Sequence, residues 1–288
     1  MADRPTRVVD AHVHLWDPAR TDWYPYLSRP PDGGSGDASK MYRRFDVGTY
    51  RVETAGWNVE KFVNVAAATG GHSVEETIEL DTNAPVNGGP DAIIGGLPPA
   101  DTVAEAIEFI DRQMAASRFR GVRPMGAFKG PLPDAGVLHA LSERNLVFEL
   151  MTHPDQLGVA AAQLAEFDDL TVVVEHTGWP HSNSDEERAL WQAGIDALAC
   201  LGDNVICKLS GLAMPFGSMG VDALAPWLDY AIEAFGVDHC MFASNFPVDS
   251  MYGTFDELYG TFSTVTAGLD SESREKLFAS NAERVYRF

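Results

Sequence analysis

Short apolar runs alternate with longer amphipathic stretches along almost the whole chain. Eight runs rich in Val, Ile, Leu and Phe indicate strands at residues 7–16, 61–67, 91–97, 119–125, 146–153, 170–178, 204–212 and 239–247. Such nearly continuous apolar strands are typical of a parallel sheet that is covered on both faces. We therefore expect helices to bury these strands.

The stretches between the runs show helical periodicity. In residues 101–116, Val103, Ile107 and Ile110 fall on one face, and Asp101 stands where an N-cap is expected. Further helices are predicted at 134–145, 154–167 and 184–202, and a last one, packed against the outside, at about 270–286. Strands that alternate with helices indicate right-handed βαβ units.

Eight strand–helix units favour a closed (β/α)8 TIM barrel over an open doubly wound sheet, which usually has fewer strands. We expect one domain over residues 1–288, with a long first βα loop from residue 17 to about 58 and an extra C-terminal helix. The Gly-rich segment at 33–36 predicts a flexible lid within that loop. The sequence contains neither a GxGxxG fingerprint nor a phosphate-binding GxxxxGK[ST] loop.

The net charge of the chain bears on which classes of molecule it can bind. The 288 residues include 21 Lys+Arg and 42 Asp+Glu, a net charge of −21 at pH 7. Binding to nucleic acid or an anionic membrane rests on clustered cations, so we expect neither and predict a small-molecule substrate. Three cysteines without CxxC spacing and the lack of a signal-peptide core predict a cytoplasmic protein. Assembly into a homo-oligomer stays open.

Working residues of a parallel barrel lie at the carboxyl ends of its strands. Alternation along the first strand predicts that Asp10, His12 and His14 point to the same face. If that face is the interior, the two imidazoles form a chelating pair, because side chains at i and i+2 stand parallel. The alternative is a hydrogen-bonded pair in the barrel floor.

Two further histidines end strand candidates. His176 closes the sixth run, and a capping or loop histidine is the alternative to a functional one. His153 closes the fifth run just before Pro154, so it is either a substrate-binding residue or a neighbour of a helix N-cap.

Cationic and amide side chains complete the candidate site. Arg123 and Lys208 lie near strand ends and either bind substrate oxygens or pair with acidic residues. Asn245 ends the eighth run, and Asp249 follows as the nearest carboxylate or as a turn cap. Trp16 belongs to a group of aromatic residues in or beside the first loop, which either stacks on substrate or packs the loop onto the barrel.

At these residues the chain resembles the amidohydrolase superfamily, within it the amidohydrolase-2 branch of TIM-barrel hydrolases. The resemblance rests on DAHVHLW, RGVRP, EHTG, KLSGL and FASNFPVD, one motif at each of five strands, and it covers nearly the whole chain. It implies a lactonase related to the fuconolactonases and pyrone-dicarboxylate lactonases. More distant members include metal-dependent decarboxylases of aromatic acids, which supply an alternative function.

The resemblance implies that His12, His14 and His176 are catalytic and hold one divalent ion such as zinc or manganese, if a metal is bound. Its strand-eight residue is an aspartate that takes the proton of the attacking water, whereas this chain has Asn245, which cannot accept a proton. Asp249 or a histidine is then the candidate base, and catalysis without metal stays open. A barrel that binds a ligand without catalysis is a third interpretation. The lysine of dinuclear members lacks a counterpart, which argues against two metals.

Overall fold

The computed structural model describes residues 3–27, 36–124 and 132–288. Its eight parallel strands follow one another in chain order around one sheet. They are β1 Val8–Val13, β2 Val59–Val65, β3 Ala92–Leu97, β4 Phe119–Pro124, β5 Val147–Leu150, β6 Val172–Val174, β7 Val205–Leu209 and β8 Cys240–Phe242. Backbone hydrogen bonds from Asn245 N to His12 O (2.9 Å) and from His14 N to Phe246 O (2.8 Å) join the segment after β8 to β1. The predicted TIM barrel is confirmed.

Helices cover the strands in alternation. They are α1 Val47–Glu53, α2 His72–Asn87, α3 Val103–Gln113, α4 Ala135–Glu143, α5 Pro154–Leu164, α6 Asp185–Ala199, α7 Ala213–Phe216, α8 Val221–Phe235, α9 Phe255–Val265, α10 Ser271–Glu275 and α11 Asn281–Tyr286. Between β1 and α1, the described residues include two 3₁₀ turns, Pro25–Leu27 and Ala38–Lys40. Among the helices that the structure describes, none is both long and apolar enough to cross a bilayer.

Several strands are shorter than the apolar runs that predict them. Strand β6 ends at Val174 and β8 at Phe242, several residues before the predicted ends at 178 and 247. The residues that follow are as buried as the strands, but they turn inward at the barrel mouth instead of extending the sheet. Burial without extension explains why hydrophobicity alone overestimates these strands. The predicted lid at 33–36 lies, except for Gly36, outside the described residues.

Two predictions about helices are wrong in detail. The N-cap of α3 is Thr102, whose hydroxyl accepts a hydrogen bond from Glu105 N, whereas Asp101 lies one residue earlier and gives its backbone N–H to the Glu105 carboxylate. The final helix exists, as α10 and α11 joined by a π turn at Lys276–Ser280. It does not pack against the outer face, because it closes the amino-terminal end of the barrel.

The closing helix shares its apolar face with the barrel interior. Small aliphatic side chains of seven strands fill that interior and form one cluster with Ala279, Ala282, Val285 and Tyr286. The hydroxyl of Tyr286 reaches up into the barrel and donates a 2.6 Å hydrogen bond to Oε1 of Glu149 on β5. Tyr286 therefore closes the base of the barrel, and its hydroxyl is hydrogen-bonded to the buried carboxylate of Glu149.

Replacing Tyr286 with Phe should destabilise the fold, because the buried Glu149 oxygen loses a charge-assisted donor. We expect the free energy of unfolding in urea to fall by about 1.5–3 kcal/mol. The matched control is Tyr230→Phe, which removes a hydroxyl from the exposed hydrogen bond to Asp196 and should cost less than about 0.5 kcal/mol. Equal losses in the two variants would contradict this account.

Candidate active site

A bulge in β1 decides which of its polar side chains face the barrel mouth. The pairing of β1 with β2 slips by one residue between Asp10 and Val13. Asp10 therefore faces the helix layer, where its carboxylate accepts a 2.9 Å hydrogen bond from the hydroxyl of Tyr50 on α1. The prediction that Asp10 shares a face with His12 and His14 is wrong, because simple alternation does not continue through a bulge.

Three buried histidine rings lie together at the carboxyl end of the strands. The Nε2 atoms of His12 and His14 are 3.1 Å apart. The ring centroid of His176 lies 4.7 Å from that of His12. His176 belongs to a 3₁₀ turn directly after β6, and all three side chains are buried. The rings that the sequence singles out thus converge in space.

Hydrogen bonds fix two of the rings. Nδ1 of His14 lies 2.8 Å from the carbonyl oxygen of Val65, so the proton of His14 is on Nδ1 and its Nε2 is a bare acceptor. Nδ1 of His176 lies 3.0 Å from Oγ of Ser210. Burial lowers the pKa of His14 to about 3 and that of His176 to about 4, and it holds the pKa of His12 well below its usual value. All three rings are therefore neutral at pH 7.

A buried glutamate lies against this cluster. Oε1 of Glu175 is 3.8 Å from Nδ1 of His12, and its Oε2 is 3.3 Å from Nη1 of Arg123. Burial by itself would raise the pKa of Glu175, but the charge of Arg123 and the smaller effects of His176, Glu149 and Lys208 together outweigh it, and the pKa falls to about 2. Glu175 is therefore ionised. Arg123 also donates from Nη2 to the carbonyl of Ala66 at 2.6 Å, while its buried Nε has no hydrogen-bond partner among the described residues.

Lys208 lies inside the barrel and is fully buried. Its Nζ donates to Oε2 of Glu149 at 2.5 Å and lies 3.5 Å from Nδ1 of His12. Burial raises the pKa of Glu149, and the attraction of Lys208 opposes that rise. The suggested role of Lys208 in substrate binding stays a prediction.

Asn245 and Asp249 form a pair in the loop after β8. Nδ2 of Asn245 donates to Oδ1 of Asp249 at 2.8 Å. Oδ1 of Asn245 and Oδ2 of Asp249 are buried without a hydrogen-bond partner in the described part of the chain. Burial raises the pKa of Asp249 to about 7, although the hydrogen bond from Asn245 opposes the rise. One amide oxygen and one carboxylate oxygen are thus left for another molecule.

Aromatic rings surround the histidines. The ring of Trp16 stacks on His14 with 5.6 Å between centroids and 9° between planes. On the other side Trp179 meets His176 edge to face at 5.0 Å, and it also lies 5.3 Å from the ring of His153. His153 is the N-cap residue of α5, without a side-chain capping bond. His153 therefore begins a helix and also lies beside the site. Its role in substrate binding stays a prediction.

A cation could be held within this cluster. His12, Glu175 and His176 each offer a ligand atom, and these atoms lie within 4.8 Å of one another. Imidazole nitrogen and carboxylate oxygen are donors that zinc and manganese accept. Oε1 of Glu175 is buried and lacks a hydrogen-bond partner among the residues described, as an oxygen available to a cation would. The predicted set contained His14 in place of Glu175.

Sequence reasoning missed three members of the site, Glu149, Glu175 and Ser210. The two glutamates had a usable signal, because each interrupts an otherwise apolar strand run close to its carboxyl end. A charge in such a place is almost never fully buried without a partner. Ser210 had no such signal, since a serine after a strand is an ordinary loop residue.

The barrel, with its site at the carboxyl ends of the strands, defines the class of the protein as a TIM-barrel enzyme. Residues 9–288 match the amidohydrolase family, and the chain belongs to that family of hydrolases.

Three relatives align with nearly the whole of this chain at 24–29% identity. An uncharacterized protein of Sinorhizobium fredii is 29% identical over 97% of this chain and 98% of its own length. An L-fucono-1,5-lactonase of Burkholderia ambifaria is 26% identical over 97% of this chain and 95% of its own length. A crystal structure of an amidohydrolase from Burkholderia multivorans with bound zinc is 24% identical, with a TM-score of 0.81 over 98% of this chain and 100% of that one.

The raised pKa of Asp249 predicts a pH-dependent stability. In the unfolded chain this carboxyl ionises near pH 4, but in the fold it keeps its proton to about pH 7, so its contribution to stability falls as pH rises between these values. Asp249→Asn removes the titration. Relative to wild type, the variant should therefore gain up to roughly 4 kcal/mol of unfolding free energy between pH 4 and pH 8.

Urea unfolding at several pH values measures this difference. Asp169→Asn, at an exposed loop position, is the matched control and should stay parallel to wild type. A parallel curve for Asp249→Asn as well would show that the Asp249 carboxyl is not held protonated by the fold.

Proposed function

We propose that this protein is a hydrolase that opens a small lactone ring, and that its substrate is a sugar lactone. The observation that carries the proposal is the convergence of three neutral histidines with an ionised glutamate at the mouth of the barrel. The L-fucono-1,5-lactonase relative, which aligns over nearly the full length of both chains, supports the substrate class.

The charges of the site favour an uncharged substrate. Arg123 is paired with Glu175 and Lys208 with Glu149, so in the described part of the site these two cations are already balanced. The chain as a whole carries a charge of −21, and its field repels anions. A neutral sugar lactone meets neither obstacle, whereas a dicarboxylate meets both.

The pair after β8 supplies what the attacking water needs. The free Oδ1 of Asn245 would orient the water, and Asp249 would take its proton through the free Oδ2. A base is most effective when its pKa lies near the working pH, and that of Asp249 is about 7. Asn245 has no basic atom, so the proton acceptor lies one turn beyond the position where the family has an aspartate.

The buried Nε of Arg123 is a donor suited to the oxygen on which negative charge develops. The water oxygen bonds to the carbonyl carbon, its proton passes to Asp249, and the bond from that carbon to the ring oxygen breaks. The ring oxygen takes the proton back from Asp249. The product is the open hydroxy acid. A histidine is the alternative base.

A divalent ion, when bound by His12, Glu175 and His176, would polarise the carbonyl and lower the pKa of the water. The charges of Arg123 and Lys208 limit the affinity for such an ion, because both lie close to these ligands. Zinc and manganese are the ions we propose to test.

Purified protein should hydrolyse sugar 1,5-lactones in a pH-indicator assay, run with and without chelator alongside metal analysis. His12→Ala and His176→Ala should each lower kcat/KM by at least about 100-fold. His239→Ala is the control, since this histidine lies before β8 at the opposite end of the barrel. Full activity in both site variants would refute the assignment.

Other outcomes identify the alternatives. Carbon dioxide release from aromatic acids, without lactone opening, would replace the proposal with a decarboxylase. Thermal stabilisation by lactones without any turnover would indicate a barrel that only binds its ligand.

The role of Asp249 has its own test. Wild-type kcat/KM should rise with pH through about 7 and level off above it, because the base must be ionised. Asp249→Asn should lose roughly 100- to 10,000-fold in kcat and the pH-dependent rise with it. Asp169→Asn should change neither. An unchanged pH profile in Asp249→Asn would assign the base to a histidine.

A further inference from the structure

We propose that Lys208 is a positioning residue that acts together with His14 to hold the proton of His12 on Nε2, and that it thereby weakens the binding of a divalent ion at His12. The inference rests on the proposed placement of an ion at this site. It does not depend on turnover of any substrate, so the two can fail separately.

Lys208 contacts one edge of the His12 ring. Nζ of Lys208 lies 3.5 Å from Nδ1 of His12 in a fully buried place. An ammonium group has only donors, so Nδ1 of His12 is satisfied there only as an acceptor. This contact puts the one proton of the neutral His12 ring on Nε2.

His14 contacts the opposite side of the His12 ring. A carbonyl oxygen can only accept, so His14 donates from Nδ1 to Val65 O and its Nε2 is bare. The 3.1 Å contact between the two Nε2 atoms then needs one proton, which His12 supplies. The hydrogen bonds then run in one direction: Lys208 donates to His12, His12 donates to His14, and His14 donates to the carbonyl of Val65. Each donor has an acceptor.

This arrangement leaves His12 with no free lone pair. An ion at Nε2 would have to displace the proton to Nδ1, where it would face the ammonium of Lys208. An ion at Nδ1 would itself stand beside that ammonium. Oε1 of Glu175, 3.8 Å from Nδ1, is the acceptor that could take the displaced proton. Lys208 and Glu175 thus favour opposite states of the same ring.

Lys208 is held firmly in this position. Glu149 accepts from Nζ of Lys208 at 2.5 Å with one oxygen and from the hydroxyl of Tyr286 at 2.6 Å with the other. The closing helix, Glu149 and Lys208 form a continuous support beneath His12. A lysine that served only to neutralise Glu149 would not need to face His12, and the change in ion affinity when the ammonium is removed separates the two roles.

The first experiment uses the wild-type protein as it is. Long-range proton–nitrogen NMR of the metal-free protein, labelled with 15N histidine, reports the tautomer of each ring, with His12→Gln identifying the His12 signals. We expect the proton of His12 on Nε2. A proton on Nδ1 would overturn the proposal.

The second experiment measures zinc and manganese dissociation constants by competition with a chromophoric chelator. The double variant Lys208→Met/Glu149→Gln removes the ammonium without leaving a buried charge. It should bind the ions about 10- to 100-fold more tightly than wild type. Tyr286→Phe removes the other hydrogen bond to Glu149 but keeps the ion pair of Glu149 with Lys208, so it is the matched control and should gain nothing.

Unchanged affinity in the double variant would overturn the proposal, and so would an equal gain in Tyr286→Phe. Thermal unfolding establishes that each variant is folded, and Lys208→Leu/Glu149→Gln takes the place of the double variant if that one is not. Absence of lactone hydrolysis would count against the proposed function alone, because neither measurement here involves turnover.

Discussion

The site depends on two ion pairs buried side by side in the upper barrel, Glu149 with Lys208 and Glu175 with Arg123. Each buried charge costs several kcal/mol of lost hydration, and well-packed apolar residues in the same places are often no less stable. The two pairs sum to zero net charge, which makes their burial tolerable. Their position around His12 indicates that they set the electrostatics of the site more than they stabilise the fold.

The carboxyl end of β2 and the residues after it orient several side chains of the same site. Three consecutive carbonyls accept hydrogen bonds from side chains: Val65 from His14, Ala66 from Arg123, and Ala67 from Tyr26, whose ring lies 6.3 Å from that of Trp16. The buried carboxylate of Glu76 accepts from the next two amides, those of Ala67 and Ala68, and from the hydroxyl of Tyr24 in the first loop. The backbone of residues 65–67 therefore orients the side chains of His14, Arg123 and Tyr26. Glu76 on α2 holds this backbone in place through its hydrogen bonds.

The sequence predicted the barrel well because eight buried strands leave a periodic signal that local exceptions do not erase. It also predicted that His12, His14 and His176 converge, since strand ends meet at one mouth. It failed where a single residue changed the register, as the bulge did for Asp10. Pairings such as Glu149 with Tyr286, 137 positions apart, depend on how the closing helix enters the barrel. No local pattern encodes that contact.

At the position of Asn245 the resemblance implies an aspartate, and the local backbone explains how asparagine fits there. Its backbone is left-handed, with φ of 56°, a conformation that Asn and Asp tolerate better than other residues with a side chain. Either residue can therefore make the turn that brings Asp249 N to the Asn245 carbonyl at 3.0 Å. With asparagine, the side chain becomes a donor to Asp249 instead of a second carboxylate that would repel it. The loop thus has one titratable carboxyl, that of Asp249, one turn beyond Asn245.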